Sequence, residues 1–197
     1  MGVTISSTAL SDVRRYFEQV PSVAQESAMY AMNDVATGPG LAMMRKDIES
    51  QVAFPKGYLS LPDRLSVVQK ATRNNLEVVI RGRDRATSLA RFAPGQTPGS
   101  KSGIYVQVKR NGGVRHLKRA FLVKLNNDNL GLAVRLKPGE SIRNKREVAT
   151  VELGKNVYLL YGPSVDQVFK TVAAESLPEL GDMISREFFR QFARLAR

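Results

Sequence analysis

The sequence contains no cysteine, no tryptophan and a single histidine, His116. Without cysteine there are no disulfides, no thiolate metal ligands and no thiol nucleophile. One histidine leaves no His-rich metal site and few ways to build an acid–base pair. That histidine lies in Gly113-Val114-Arg115-His116-Leu117-Lys118. Neighbouring cations lower its proton affinity and make it a poor general base. Long apolar runs are also missing. The longest, such as Val157 to Tyr161, fall far short of the ~20 residues that cross a bilayer. The opening residues, Met1 to Leu10, lack the basic and then apolar pattern of a secretory signal, so a soluble protein kept in the cytoplasm, or in something assembled there, is expected. Aromatic residues are sparse in the basic stretches, with none between Arg64 and Arg91. Base stacking of the kind single-strand binders use is therefore not expected there.

What the chain does have is 197 residues, 43% of them hydrophobic, enough for one domain with a packed core. It also has positive charge, distributed unevenly. Residues 1–50 carry net −2, residues 51–100 net +5, residues 101–150 net +9 and residues 151–197 net 0. The whole excess of +12 thus sits in the middle hundred residues, which points to a polyanion or an acidic partner. The same charge also suits a merely soluble surface.

The hydrophobic spacing predicts helices, then strands, then helices. Leu10, Val13, Phe17 and Val20 recur at helical spacing. Pro21 interrupts them, and Ser22 with Gln25 offers a capping box for a restart. Val23, Met29, Met32 and Val35 carry the next stripe to the Gly38-Pro39-Gly40 break, and a short helix follows from Leu41 to about Gln51. Strands are expected over 64–70 and 76–81 with a turn at Thr72–Asn75, then over 104–108, 120–125, 130–136 and 157–161. Asn111-Gly112 is a hairpin signal. After Gly162-Pro163, Ser164 and Gln167 repeat the capping box, and Pro178 fits the first turn of a final helix striped by Leu180, Ile184, Phe188, Phe192 and Leu195. The expected fold is α+β: segmented N-terminal helices, a mainly antiparallel twisted sheet, and C-terminal helices packed on it. Residues 1–197 are expected to form a single domain, divided into a helical arm (1–51), a basic β-rich body (52–161) and C-terminal helices (162–197).

No catalytic, cofactor-binding or metal-binding set emerges. Asp47 and Glu49 are too close in sequence to share a helix face. No glycine-rich segment has Walker or dinucleotide spacing. The expectation is a non-enzyme without cofactor. A nuclease acting on DNA is a rival, but it lacks an acidic metal cluster in the sequence. The candidate contact residues lie in two basic loops: Arg81, Arg83 and Arg85 in the first, Arg143, Lys145 and Arg146 in the second. They are suited to phosphates, read without sequence preference, or to an acidic protein face; equally, they are solvated loops. Met29 and Met32 are candidates for an adaptable subunit interface or for plain core. Phe189, beside Phe188 and pointing to another side, is a candidate for the same interface.

These residues carry a resemblance. Leu160-Tyr161-Gly162-Pro163-Ser164-Val165, then Val168-Phe169, a Pro-led helix and Phe188-Phe189-Arg190-Gln191-Phe192-Ala193-Arg194-Leu195 resemble the C-terminus of the phage minor tail protein Z family, the lambda-type tail completion proteins. Phe54-Pro55-Lys56-Gly57-Tyr58-Leu59, Arg64-Leu65, the run Gly82 to Phe92, and Ala31-Met32-Asn33-Asp34 resemble prophage members of that family. The resemblance implies a structural virion protein of a long-tailed phage, made in the bacterial host cytoplasm and placed at the neck or head-proximal end of the tail. It implies a cyclic ring of copies, read as a hexamer, around the DNA channel that enables productive head–tail joining. Its partners would be the tail terminator, tail tube or head–tail connector proteins and phage DNA, with no membrane and no cofactor. The alternatives are a sequence-nonspecific nucleic-acid-binding protein and an assembly factor that is not incorporated.

Overall fold

The computed structural model describes residues 3–6, 21–98, 102–140, 142 and 150–196. The fold is α+β, and every strand pairing in it is antiparallel. The chain forms two compact units, each gathered from separate stretches of sequence. Unit 1 comprises residues 1–48, 59–84 and 166–197; unit 2 comprises 49–58 and 85–165.

Unit 1 is a three-stranded sheet with helices. Its strands are β1 (Val3–Ser6), β2 (Leu65–Gln69) and β3 (Glu77–Gly82), in the order β1-β3-β2. The Thr72–Asn75 turn expected between β2 and β3 is closed by backbone bonds in both directions. Helix α1 (Pro21–Thr37) buries a face of small residues, Ala24, Ser27, Ala28 and Ala31, followed by Met32 and Val35. Gly38 ends it, and α2 (Pro39–Gln51) begins at once with proline in the first turn, where no amide donor is needed. Gly40 lies so close to its surroundings that a Cβ would stand 2.6 Å from Leu180 Cδ2 and 2.8 Å from the Val35 carbonyl oxygen.

The C-terminal region departs from expectation. Instead of two helices split near Pro178, there is one continuous helix, α3 (Val165–Leu195), with Pro178 inside it. The proline costs a backbone hydrogen bond. Burial on both sides offsets that cost: Phe169, Val172 and Ala173 before it, Leu180, Ile184 and Phe188 after it, all lie in the core. Leu180 and Ile184 meet Met32, Val35 and Ala36 of α1 and Val78 of β3. The helical stripe expected at Leu10 to Val20 lies outside the described residues.

Unit 2 holds β4 (Thr87–Ser88), β5 (Ile104–Val106), β6 (Arg115–Leu117), β7 (Ala120–Lys124), β8 (Leu130–Arg135), β9 (Thr150–Gly154) and β10 (Val157–Gly162). Its main sheet runs β4-β10-β8-β7, with β9 also on β10. β5 and β6 form a separate ribbon, with Asn111-Gly112 inside the connection that closes it. The ribbon's inner residues Ile104 and Val106 are buried, while Tyr105 is exposed. Phe54 stacks on Tyr58 at 5.3 Å and packs against Phe92 at 5.5 Å, so the Phe54–Tyr58 segment serves as an aromatic plug in this unit's core.

Candidate nucleic-acid interface

The charge imbalance follows the structural units more sharply than the sequence blocks. Unit 2 contains 16 Lys and Arg against 5 Asp and Glu, whereas unit 1 contains 14 against 13. Unit 2 alone therefore carries +11 of the +12. Every Lys and Arg of unit 2 among the described residues is exposed.

Few of these cations are neutralised. Arg119 is, by a two-pronged contact with Glu140 at 2.7 and 2.9 Å, and it donates a third bond to the Arg135 carbonyl. Glu140 also accepts from the Lys137 amide at 2.9 Å. Hydrogen bonding from Arg119, and then from Lys137, holds the Glu140 carboxyl down at about 2. Lys124 pairs with Asp128 at 2.7 Å. Arg110 is spent on the chain itself, its Nε donating to the Glu49 carbonyl. The Arg91 guanidinium lies over the Tyr58 ring at 5.2 Å. Lys56, Arg85, Lys109, Arg115, Lys118, Arg135, Lys137 and Lys155 have no carboxylate within ion-pair distance among the described residues. Such a surface attracts phosphate without a fixed geometry for any one base.

Two local features stand out. One is an open depression of about 690 Å³ lined by Arg119, Phe121, Arg135, Leu136, Lys137 and Pro138. The other is the outer face of the β5–β6 ribbon, where Tyr105 and His116 are directly paired and their rings stack at 4.2 Å and 11°. The ribbon is fixed in place: Gln96 bonds both the amide and the carbonyl of Tyr105, and His116 Nε2 lies 2.7 Å from the Ser102 carbonyl. The ribbon thus brings an exposed tyrosine and the single histidine together across two strands.

The expected contact residues fare unevenly. Arg81 is not in a loop but in β3, opposite Ser66, and is exposed. Arg83 is half-buried, its amide donating to the Arg64 carbonyl and its carbonyl accepting from the Asp166 amide. Both belong to the nearly neutral unit 1, whereas Arg85 is exposed in unit 2. Arg143, Lys145 and Arg146 lie outside the described residues. Met32, a candidate for a subunit interface or for plain core, is core, 1% exposed. Met29 is half-buried. Phe189 is 53% exposed and meets buried Phe188 edge-on at 5.3 Å, so the two adjacent rings do point to different sides. The sequence reading passed over Arg119, Arg135 and Lys137 as a group because they come from three separate segments.

Among the described residues, no group of three or more His, Asp or Glu is placed to hold a metal ion. Among the same described residues, no helix is long and apolar enough to cross a membrane. No family profile matches the chain, and neither a curated protein nor a solved structure matches it significantly.

Proposed function

We propose that this chain is a structural virion protein of a long-tailed phage. It acts as a tail completion or minor tail protein at the head-proximal end of the tail, in a ring around the DNA channel. The observation that supports this reading is the confinement of +11 of the charge to unit 2, whose described Lys and Arg side chains are all exposed. A channel wall that DNA slides past needs positive potential without base-specific grip, and exposed Lys and Arg with no ion pair supply it. Unit 1, nearly neutral, is left for protein contacts with the tail and connector proteins. No cofactor or catalytic residue is assigned.

Quantitative mass spectrometry of purified particles tests the proposal, with copies counted against the portal and major tail proteins. A fixed low copy number equal to one ring is expected. Absence from particles would overturn it. Tight, salt-dependent DNA binding by the purified chain would then favour a sequence-nonspecific nucleic-acid-binding protein.

A further inference from the structure

We propose that the two open edges of the unit 2 sheet, β9 and β7, pair with each other between neighbouring copies, so that the sheet runs on from one copy to the next. The inference supplies the subunit contact of the ring and rests on the ring reading for closure only.

β9 and β7 lie on opposite sides of the sheet. β10 bonds β8 through Val157–Leu160 on one side and β9 through the same residues on the other, and β7 follows β8. Among the described residues, no backbone bond joins 150–154 to anything beyond β10, or 120–124 to anything beyond β8. Exposed edges of this kind are normally guarded by proline, by charge, by a β-bulge or by a cover; here β9 carries a register shift against β10 beside Val157 and Tyr158, and β7 carries charge only at the terminal Lys124. Neither strand contains proline. β9 has one charged residue, Glu152, and exposes Val151 at 52% and Leu153 at 49%.

The two edges fit each other in direction, in face and in charge. Each pairing in the series β9, β10, β8, β7 is antiparallel, so β9 and β7 run in opposite directions. Brought edge to edge by moving one copy along the sheet, they meet as an antiparallel pair. Directly paired residues share a face, and one row runs Val151–Leu159–Ala133–Phe121 across all four strands. Val151 and Phe121 therefore emerge on the same face at the two edges, and a second copy continues that apolar face, with Val151 beside Leu125 in the register that sets Glu152 against Lys124. Glu152 and Lys124 lie on the opposite face. A register that sets Glu152 against Lys124 joins the acid of one edge to the base of the other. The present partner of Lys124 is Asp128, in an ion pair with 69% and 83% of the two side chains exposed. Such a pair is weak and gives way at little cost. The contact is heterologous, because β9 of one copy meets β7 of the next, and repetition of such contacts closes a ring or extends a filament.

The absence of native cysteine makes the test direct. A purified double variant, Glu152→Cys with Lys124→Cys, is oxidised and run without reductant. The two new thiols cannot join within one chain, since three strand spacings, roughly 14 Å, separate their strands. A ladder of disulfide-linked oligomers is expected from the double variant, with each single variant staying monomeric. Adding Val151→Lys to the double variant should abolish the ladder without changing the melting curve. Monomer alone from the double variant would overturn the proposal, and so would dimer from Glu152→Cys alone, which marks β9 pairing with itself. A ladder from a protein absent from particles would sink the tail reading and leave the edge contact standing.

Discussion

Asn33 and Ala71 exchange two hydrogen bonds across 38 residues of sequence. The Asn33 Nδ2 donates to the Ala71 carbonyl at 3.0 Å, and the Ala71 amide donates to Asn33 Oδ1 at 2.9 Å. One side chain thus ties α1 to the connection between β2 and β3. Ala71 is buried, so water cannot readily replace what Asn33 supplies. Asn33→Ala should cost about 1–3 kcal/mol in urea unfolding. Asn33→Asp should not rescue it, because a carboxylate would face the Ala71 carbonyl without a donor. Equal stability of all three forms would refute this role.

The junction of α2 with α3 allows a paired test on glycine. Gly40→Ala drives a methyl against Leu180 and the Val35 carbonyl, of which only the side chain can yield; a loss of about 1–3 kcal/mol is expected. Gly181→Ala, within α3 and with nothing inside 4 Å of the added carbon, should instead stabilise by about 0.5–1 kcal/mol. Thermal melts of the two variants moving in the same direction would contradict this packing.

Pro178 is exposed and lies well inside α3. Pro178→Ala restores a donor for the helix and removes a ring that clashes with the preceding turn. The expected gain is about 1–3 kcal/mol, read as a higher melting temperature. A lower one would refute this cost of the proline.

Glu140 should titrate far below an ordinary carboxylate. Its folded value of about 2 lies below the ordinary 4.5. The Arg119 contact therefore contributes fully above 4.5 and is lost as pH falls through about 2. Following the Glu140 carboxyl carbon by NMR should give a midpoint near 2, and Arg119→Ala should move it up toward 4.5. An ordinary midpoint in the unaltered protein would refute the pairing.

Phosphate contact makes its own prediction. Arg115→Gln, Lys118→Gln and Lys137→Gln together remove three exposed unit 2 cations that hold no carboxylate. The slope of log K against log salt for duplex DNA should flatten by about 2–3, with unfolding unchanged. An unaltered slope would place the DNA elsewhere.

Much of the fold is legible in residue spacing. The strands at 65–69, 77–82, 120–124, 130–135 and 157–162 alternate or cluster as strands should, and Thr72–Asn75 turns as its composition requires. β6 is not legible, since Arg115-His116-Leu117 is a strand only because β5 lies beside it. β9 is hidden by its turn: Lys155 and Asn156 both have left-handed φ, 53° and 60°, a geometry that Asn-Gly announces and Lys-Asn does not. Pro178 misleads in the opposite direction, a local rule overruled by a buried stripe. The candidate interface was legible as charge and not as place. Summing over consecutive residues puts Arg81 and Arg83 with the basic middle, while the fold assigns them to unit 1 and gathers Arg115, Lys118, Arg135 and Lys137 in unit 2.

The interleaving of the two units also sets an order of events during synthesis. Unit 2 has all its residues once Val165 is made, but unit 1 waits for residues 166–197. At ~5–20 residues per second that wait is roughly 2–6 s. Throughout it, Met32, Val35 and Val78 lack the Leu180 and Ile184 that cover them. The sequence of the basic unit is thus complete before that of the neutral one, and the neutral one is the part whose apolar surface waits longest for its cover.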